Sequence, residues 1–80
     1  MSNNFALLTD YLATVNILIV DDNMVARNRL IKVFVEMGAK RANIESVGNM
    51  HDAKFMIHDK KPKLVLADYK FRNGSGFELF

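Results

Sequence analysis

The chain has 80 residues, half of them hydrophobic and a quarter charged, with a formal net charge of +2. That length holds one small domain, which buries only about 60–65% of its unfolded surface, and the composition excludes wholesale disorder. The absence of cysteine excludes disulfides and thiolate metal sites, and so small a positive balance gives no ground for nucleic-acid binding by this segment.

No basic stretch followed by a long apolar run opens the chain, so no signal peptide is expected. No apolar run approaches the ~20 residues of a membrane span. A cytoplasmic protein without membrane contact is the expectation.

Phe5, Leu8, Leu12 and Val15 recur at three and four residues, which predicts a short amphipathic helix over Phe5 to Val15, with Asn3 or Asn4 available as its cap. An isolated helix of this length is marginal in water. Two readings stay open: a frayed extension, or a helix that covers apolar surface on this domain or a partner. Val15 to Val20 reads as the first strand, and its run Ile17-Leu18-Ile19-Val20 has the character of a strand buried on both faces. Asp21-Asp22-Asn23 is the following turn. A helix is expected from about Met24 to Met37, with Ala26, Leu30, Val33, Phe34 and Met37 facing the core and Arg27, Asn28, Lys32 and Glu36 mostly opposite. Gly38 is its natural stop.

Ala42 to Val47 reads as a weaker strand, and Glu45 and Ser46 suit an edge position. After the turn Gly48-Asn49, a second helix is expected from about Met50 to Asp59, closed where Pro62 restricts Lys61. Lys60-Lys61-Pro62-Lys63 reads as a solvated helix end. Met24, Met37, Met50 and Met56 read as core or edge packing. His51 and His58, seven apart, share a helix face but are poorly spaced to chelate one metal. Lys63 to Ala67 is the third strand, Asp68 to Gly76 a loop, and Phe77 to Phe80 the first turn of a further helix. Gly74-Ser75-Gly76 lacks the lysine and spacing of a phosphate-binding loop. Strand-helix-strand-helix-strand is the order of an α/β fold with a parallel sheet.

Two apolar runs end in acids. The first stops at Asp21-Asp22 and the second, Leu64 to Ala67, at Asp68. Ligands of open parallel sheets bind beyond the carboxyl ends of the strands. Three carboxylates gathered there repel one another, so the cluster calls for a divalent cation. The bland alternatives are helix capping for one of the pair and a turn acid for Asp68.

At this point the residues resemble a family. Asn16 to Asn23 with Arg27, Ala53, Pro62 to Tyr69, and Gly76-Phe77-Glu78-Leu79 together resemble a response-regulator receiver domain of two-component signalling. The resemblance divides the chain into a helical extension, residues 1–14, and the N-terminal part of a receiver, residues 15–80. It implies a flavodoxin-like parallel sheet of strand order 2-1-3-4-5, of which only the portion through the third strand is present. It also implies that Asp68 is the phosphoacceptor, loaded by a histidine kinase or phosphotransfer protein. Asp22 would ligate Mg2+ directly and Asp21 through water, with Asp68 and the backbone carbonyl of Lys70 completing the protein ligands. Enzymatic character would extend no further than Mg2+-dependent self-phosphorylation from a phosphohistidine donor.

The chain departs from the family pattern in four ways, of which one, Lys63 in place of a frequent acid before the third strand, carries no catalytic meaning. Phe71-Arg72 replaces the usual methionine and proline, Lys70 places a cation near the acceptor, and no position supplies the family's switch hydroxyl or its fifth-strand lysine. Lys70 and Phe71 are therefore candidates for tuning the phosphoryl group, a solvated loop lysine being the plain reading of Lys70. The chain is expected to be either a fragment of a longer regulator or a truncated receiver that associates, as a two-fold dimer, through the open edge of its third strand. In the second case it is a phosphorylation-independent interaction module.

Overall fold

The computed structural model describes residues 3–67, with side chains from Leu7 onward. The elements are α1 (Asn3–Thr14), β1 (Ile17–Val20), α2 (Met24–Glu36), β2 (Ile44–Val47), α3 (Met50–Lys60) and β3 (Leu64–Ala67), with a 3-10 turn at Arg41–Asn43 before β2. The three strands form a parallel sheet in the order β2-β1-β3. Ile17 pairs with Ile44 on one side and Leu64 on the other; at the far end Val20 pairs with Val47 and Ala67. The expected α/β class and parallel sheet are present.

β1 is central, and its side chains are buried alternately on both faces, as its unbroken apolar run requires. Ile17 and Ile19 join Leu12 and Val15, Ile31 of α2, Ala39 and Ile44 in one cluster. Leu18 and Val20 join Met50 and Ala53 of α3 in the other, with Val65 and Ala67 of β3 partly buried against them. α1 and α2 thus share one face of the sheet, and α3 lies on the opposite face.

The N-terminal helix is a cover. Leu12 and Val15 of the expected stripe are buried in the first cluster, whereas Leu8 is 42% exposed. The side chain of Phe5 lies outside the described residues. Asn3 and Asn4 fall within the helix rather than ahead of it. The seat for α1 includes Gly38, whose φ of +116° ends α2 and where a Cβ would stand 2.6 Å from Thr9 Cγ2.

Several expectations need correction. Val33 is 43% exposed, and Ile31 is buried instead. Ile31 joins Leu12, Val15, Ile17, Ile19 and Ile44 in the first cluster, so the core that α2 faces runs toward position 31. Met24 is 63% exposed at the start of α2, not packed. β2 begins at Ile44 because the 3-10 turn, closed by Asn43 N–H donating to the Lys40 carbonyl at 2.9 Å, consumes Ala42 and Asn43. Lys61 is not extended ahead of Pro62. It adopts the left-handed conformation (φ 48°, ψ 56°), and its N–H donates to the Ile57 carbonyl at 3.1 Å, capping α3. Among the described residues no helix is long and apolar enough to cross a membrane.

Candidate functional site

The candidate site lies at the carboxyl edge of the sheet, where β1 gives way to Asp21-Asp22-Asn23. Asn23 is the cap of α2: its backbone is extended and its Oδ1 accepts from the Ala26 N–H at 3.0 Å. Capping therefore does not account for either acid. The Asp21 N–H donates to the Val47 carbonyl at 3.1 Å, carrying the β1–β2 ladder one step past the strands. The Asp21 Oδ1 accepts from the Asn23 N–H at 2.9 Å, an Asx-type turn that fixes the side chain while engaging one of its oxygens. Asp22 is exposed, and among the described residues its carboxylate has no hydrogen-bond or ion-pair partner.

Arg27 does not take the solvent face its helical position predicts. It is half-buried, and its Nη1 donates to the Asp21 carbonyl at 2.7 Å, a short charge-assisted bond. The guanidinium lies against the β2–α3 turn: a Cβ at Gly48 would stand 2.9 Å from Nη1 and 3.8 Å from the Asp21 carbonyl oxygen. Asn49 then caps α3, its Oδ1 accepting from the Asp52 N–H at 2.8 Å and its Nδ2 donating to Asp52 Oδ2 at 3.1 Å. The two turns that frame the edge are thus each pinned by an asparagine cap and joined through Arg27. Helical spacing hid this role. Arg27 and Gly48 are far apart in the chain, so no sequence spacing links them.

A cleft of about 180 Å3 opens at this edge, lined by Val20, Asp21, Leu30, Leu66 and Ala67. Its β3 wall ends at Ala67, the register partner of Val20. The residue that precedes Asp68 in the chain therefore lies beside the residue that precedes Asp21. Asp68 itself, with Lys70 and Phe71, lies outside the described residues. The described part of the donor set is two carboxylates, hard oxygen ligands with coordination capacity left over, which fits Mg2+, a cation usually held by one or two carboxylates with retained waters. Among the described residues no group of three or more acidic, histidine or cysteine side chains is gathered. His51 and His58 are both exposed, as are Lys60, Lys61 and Lys63.

Compared with known proteins, the chain matches no family model, no curated protein and no solved structure.

Proposed function

We propose that residues 15–80 form the N-terminal part of a flavodoxin-like receiver domain that accepts a phosphoryl group on Asp68 in a Mg2+-dependent reaction in the cytoplasm. The single observation that supports this reading most is the register of β3 on β1. Val20 and Ala67 are neighbours, so the strands that lead into Asp21-Asp22 and Asp68 run to one edge of the sheet, side by side. The donor is a phosphohistidine on a histidine kinase or phosphotransfer protein. An Asp68 carboxylate oxygen attacks phosphorus as the phosphorus–nitrogen bond breaks; the electron pair stays on the imidazole nitrogen, which takes a proton from solvent. Asp21 and Asp22 hold the cation with the Lys70 carbonyl and Asp68. When bound, the cation neutralises charge on the phosphoryl oxygens during transfer. Lys70 and Phe71, in positions that follow the acceptor, tune the lifetime of the product.

The test is incubation of the full chain with acetyl phosphate and Mg2+, read by intact mass. One added phosphoryl group is expected, lost with Asp68→Asn and with chelation of the metal. Labelling that persists in Asp68→Asn would remove Asp68 as the acceptor.

A second reading is favoured by a different observation. All four β3 residues are only half-buried, whereas the four of β1 are fully buried, and within the described residues β3 pairs on one side only. A strand with one free edge is a template for pairing. In this reading the chain is an interaction module that forms a two-fold homodimer or docks on the remainder of a longer regulator, without phosphorylation. Sedimentation at micromolar concentration distinguishes them: a dimer unchanged by Asp68→Asn supports the module, and a monomer speaks against it.

A further inference from the structure

We propose that Arg27 is the positioning residue of the acidic turn, and that Gly48 is its berth. The inference deepens the Mg2+ reading above and rests on it for its functional consequence. Arg27 is the one basic side chain described as bonded to the β1–α2 turn, and it bonds the backbone of Asp21, not its carboxylate. The bond therefore engages no carboxylate oxygen of either acid. What it fixes is the peptide unit that joins Asp21 to Asp22, and hence the direction in which the exposed Asp22 carboxylate is presented.

Three constraints converge on Asp21, and one of them acts on that peptide unit itself. The Asp21 N–H is tied to Val47 at 3.1 Å, its side chain to the Asn23 N–H at 2.9 Å, and its carbonyl to Arg27 at 2.7 Å. The first two are local or belong to the sheet. The third reaches in from the side chain of another residue, and it does so along the surface of Gly48. A Cβ at position 48 would crowd Nη1 at 2.9 Å, while its approach to the Asp21 carbonyl oxygen, 3.8 Å, is ordinary contact. The crowded atom is the far end of a flexible side chain, so Gly48→Ala displaces the guanidinium rather than the backbone. Groups that orient a metal ligand without touching the metal commonly change affinity by tenfold or more.

The sign of the charge separates positioning from simple electrostatics. Arg27 is a cation beside a cation site, so loss of its charge alone strengthens Mg2+ binding. Loss of its hydrogen bond weakens it. Arg27→Lys and Gly48→Ala both keep the positive charge and both disturb the bond, because an ammonium lacks the guanidinium's fork and reach and an alanine fills the berth. Mg2+ titration of the full chain by NMR is expected to give both variants an affinity about tenfold weaker than the parent chain at the Asp21 and Asp22 amides. Hydrogen exchange without metal is the second readout: the Asp21 amide should lose protection in both variants while the β1 amides of Leu18 and Ile19 keep theirs. Parent-like affinity together with parent-like Asp21 protection in both variants would overturn the proposal. If the parent chain itself shows no saturable Mg2+ response, the cation reading fails, and the exchange measurement alone then decides whether Arg27 braces the turn.

Discussion

The two faces of the sheet reach the same burial by different constructions. On one face Ile17 and Ile19 are sealed by two helices, α1 and α2, through large side chains: Leu12, Ile31 and the half-buried Leu30 and Phe34. On the other, Leu18 and Val20 are sealed by α3 alone, which comes close because Ala53, fully buried, stands between it and the strand. All four β1 residues are no more than 1% exposed. The first face depends on volume delivered from outside the strand-helix-strand order, and the second on the smallness of one residue. They should therefore fail to opposite kinds of change.

The largest effect is expected on the first face. Deletion of residues 1–14 removes Leu12 and the helix that carries it. Truncating one buried leucine to alanine already costs about 2–5 kcal/mol, against a total stability of about 4–12 kcal/mol for a domain of this size. The deletion should abolish the cooperative thermal transition followed by circular dichroism, and Leu12→Ala should lower it severely while keeping it cooperative. A truncated chain that melts like the parent would show that α1 is an appendage after all. The opposite face should respond to added bulk: Ala53→Leu forces α3 off the strand and is expected to cost about 1–3 kcal/mol, whereas enlargement at the half-buried Leu30 should be far milder. Urea denaturation of both variants checks the contrast.

Much of this plan was legible in the residues. Ile17 to Val20 could be assigned to a strand buried on both faces because four consecutive large apolar side chains have no solvent face to offer. Gly38 and Pro62 marked the helix ends correctly. Periodicity erred where the tertiary core, not the helix itself, decided the buried stripe: Ile31 is inside, in the cluster with Ile17, Ile19 and Ile44, and Val33 is outside. It erred for Arg27 for a related reason. Helical spacing reports the direction of a Cβ, but a long arginine side chain can return to the end of the strand that precedes its helix. Of the candidate site, the acid pair was readable from the run that precedes it. The cap was not, since Asp and Asn serve equally well there, and only the structure assigns the role to Asn23 and so frees Asp22.

The seat of α1 offers a finer test of the first face. Gly38 combines a positive φ with the 2.6 Å approach to Thr9 Cγ2 that any Cβ would make. Gly38→Ala meets backbone strain and a clash together, and is expected to destabilise by about 1–3 kcal/mol. If the clash matters, Thr9→Ala should recover part of that loss in the double variant. Additivity of the two would mean that the backbone strain acts alone.

The smallest effect is expected at the matching position on the second face, and it has the opposite sign. α2 and α3 both end with a residue at positive φ, but the residue after α2 is glycine and the residue after α3 is Lys61, at φ 48° and ψ 56°. A side chain in that conformation costs roughly 1–2 kcal/mol. Lys61→Gly removes the cost, keeps the N–H that caps the Ile57 carbonyl, and loosens the unfolded chain by about 0.4–1 kcal/mol. The net gain should be about 0.5 kcal/mol, a rise of about 2–4 °C in Tm for a domain of this length. Lys61 is exposed at the end of α3, so no packing is lost to obscure the result. A fall in Tm would mean that the lysine at the helix C-terminus contributes more through its charge than its backbone costs, and that the two helix ends are equivalent solutions rather than a relaxed and a strained one.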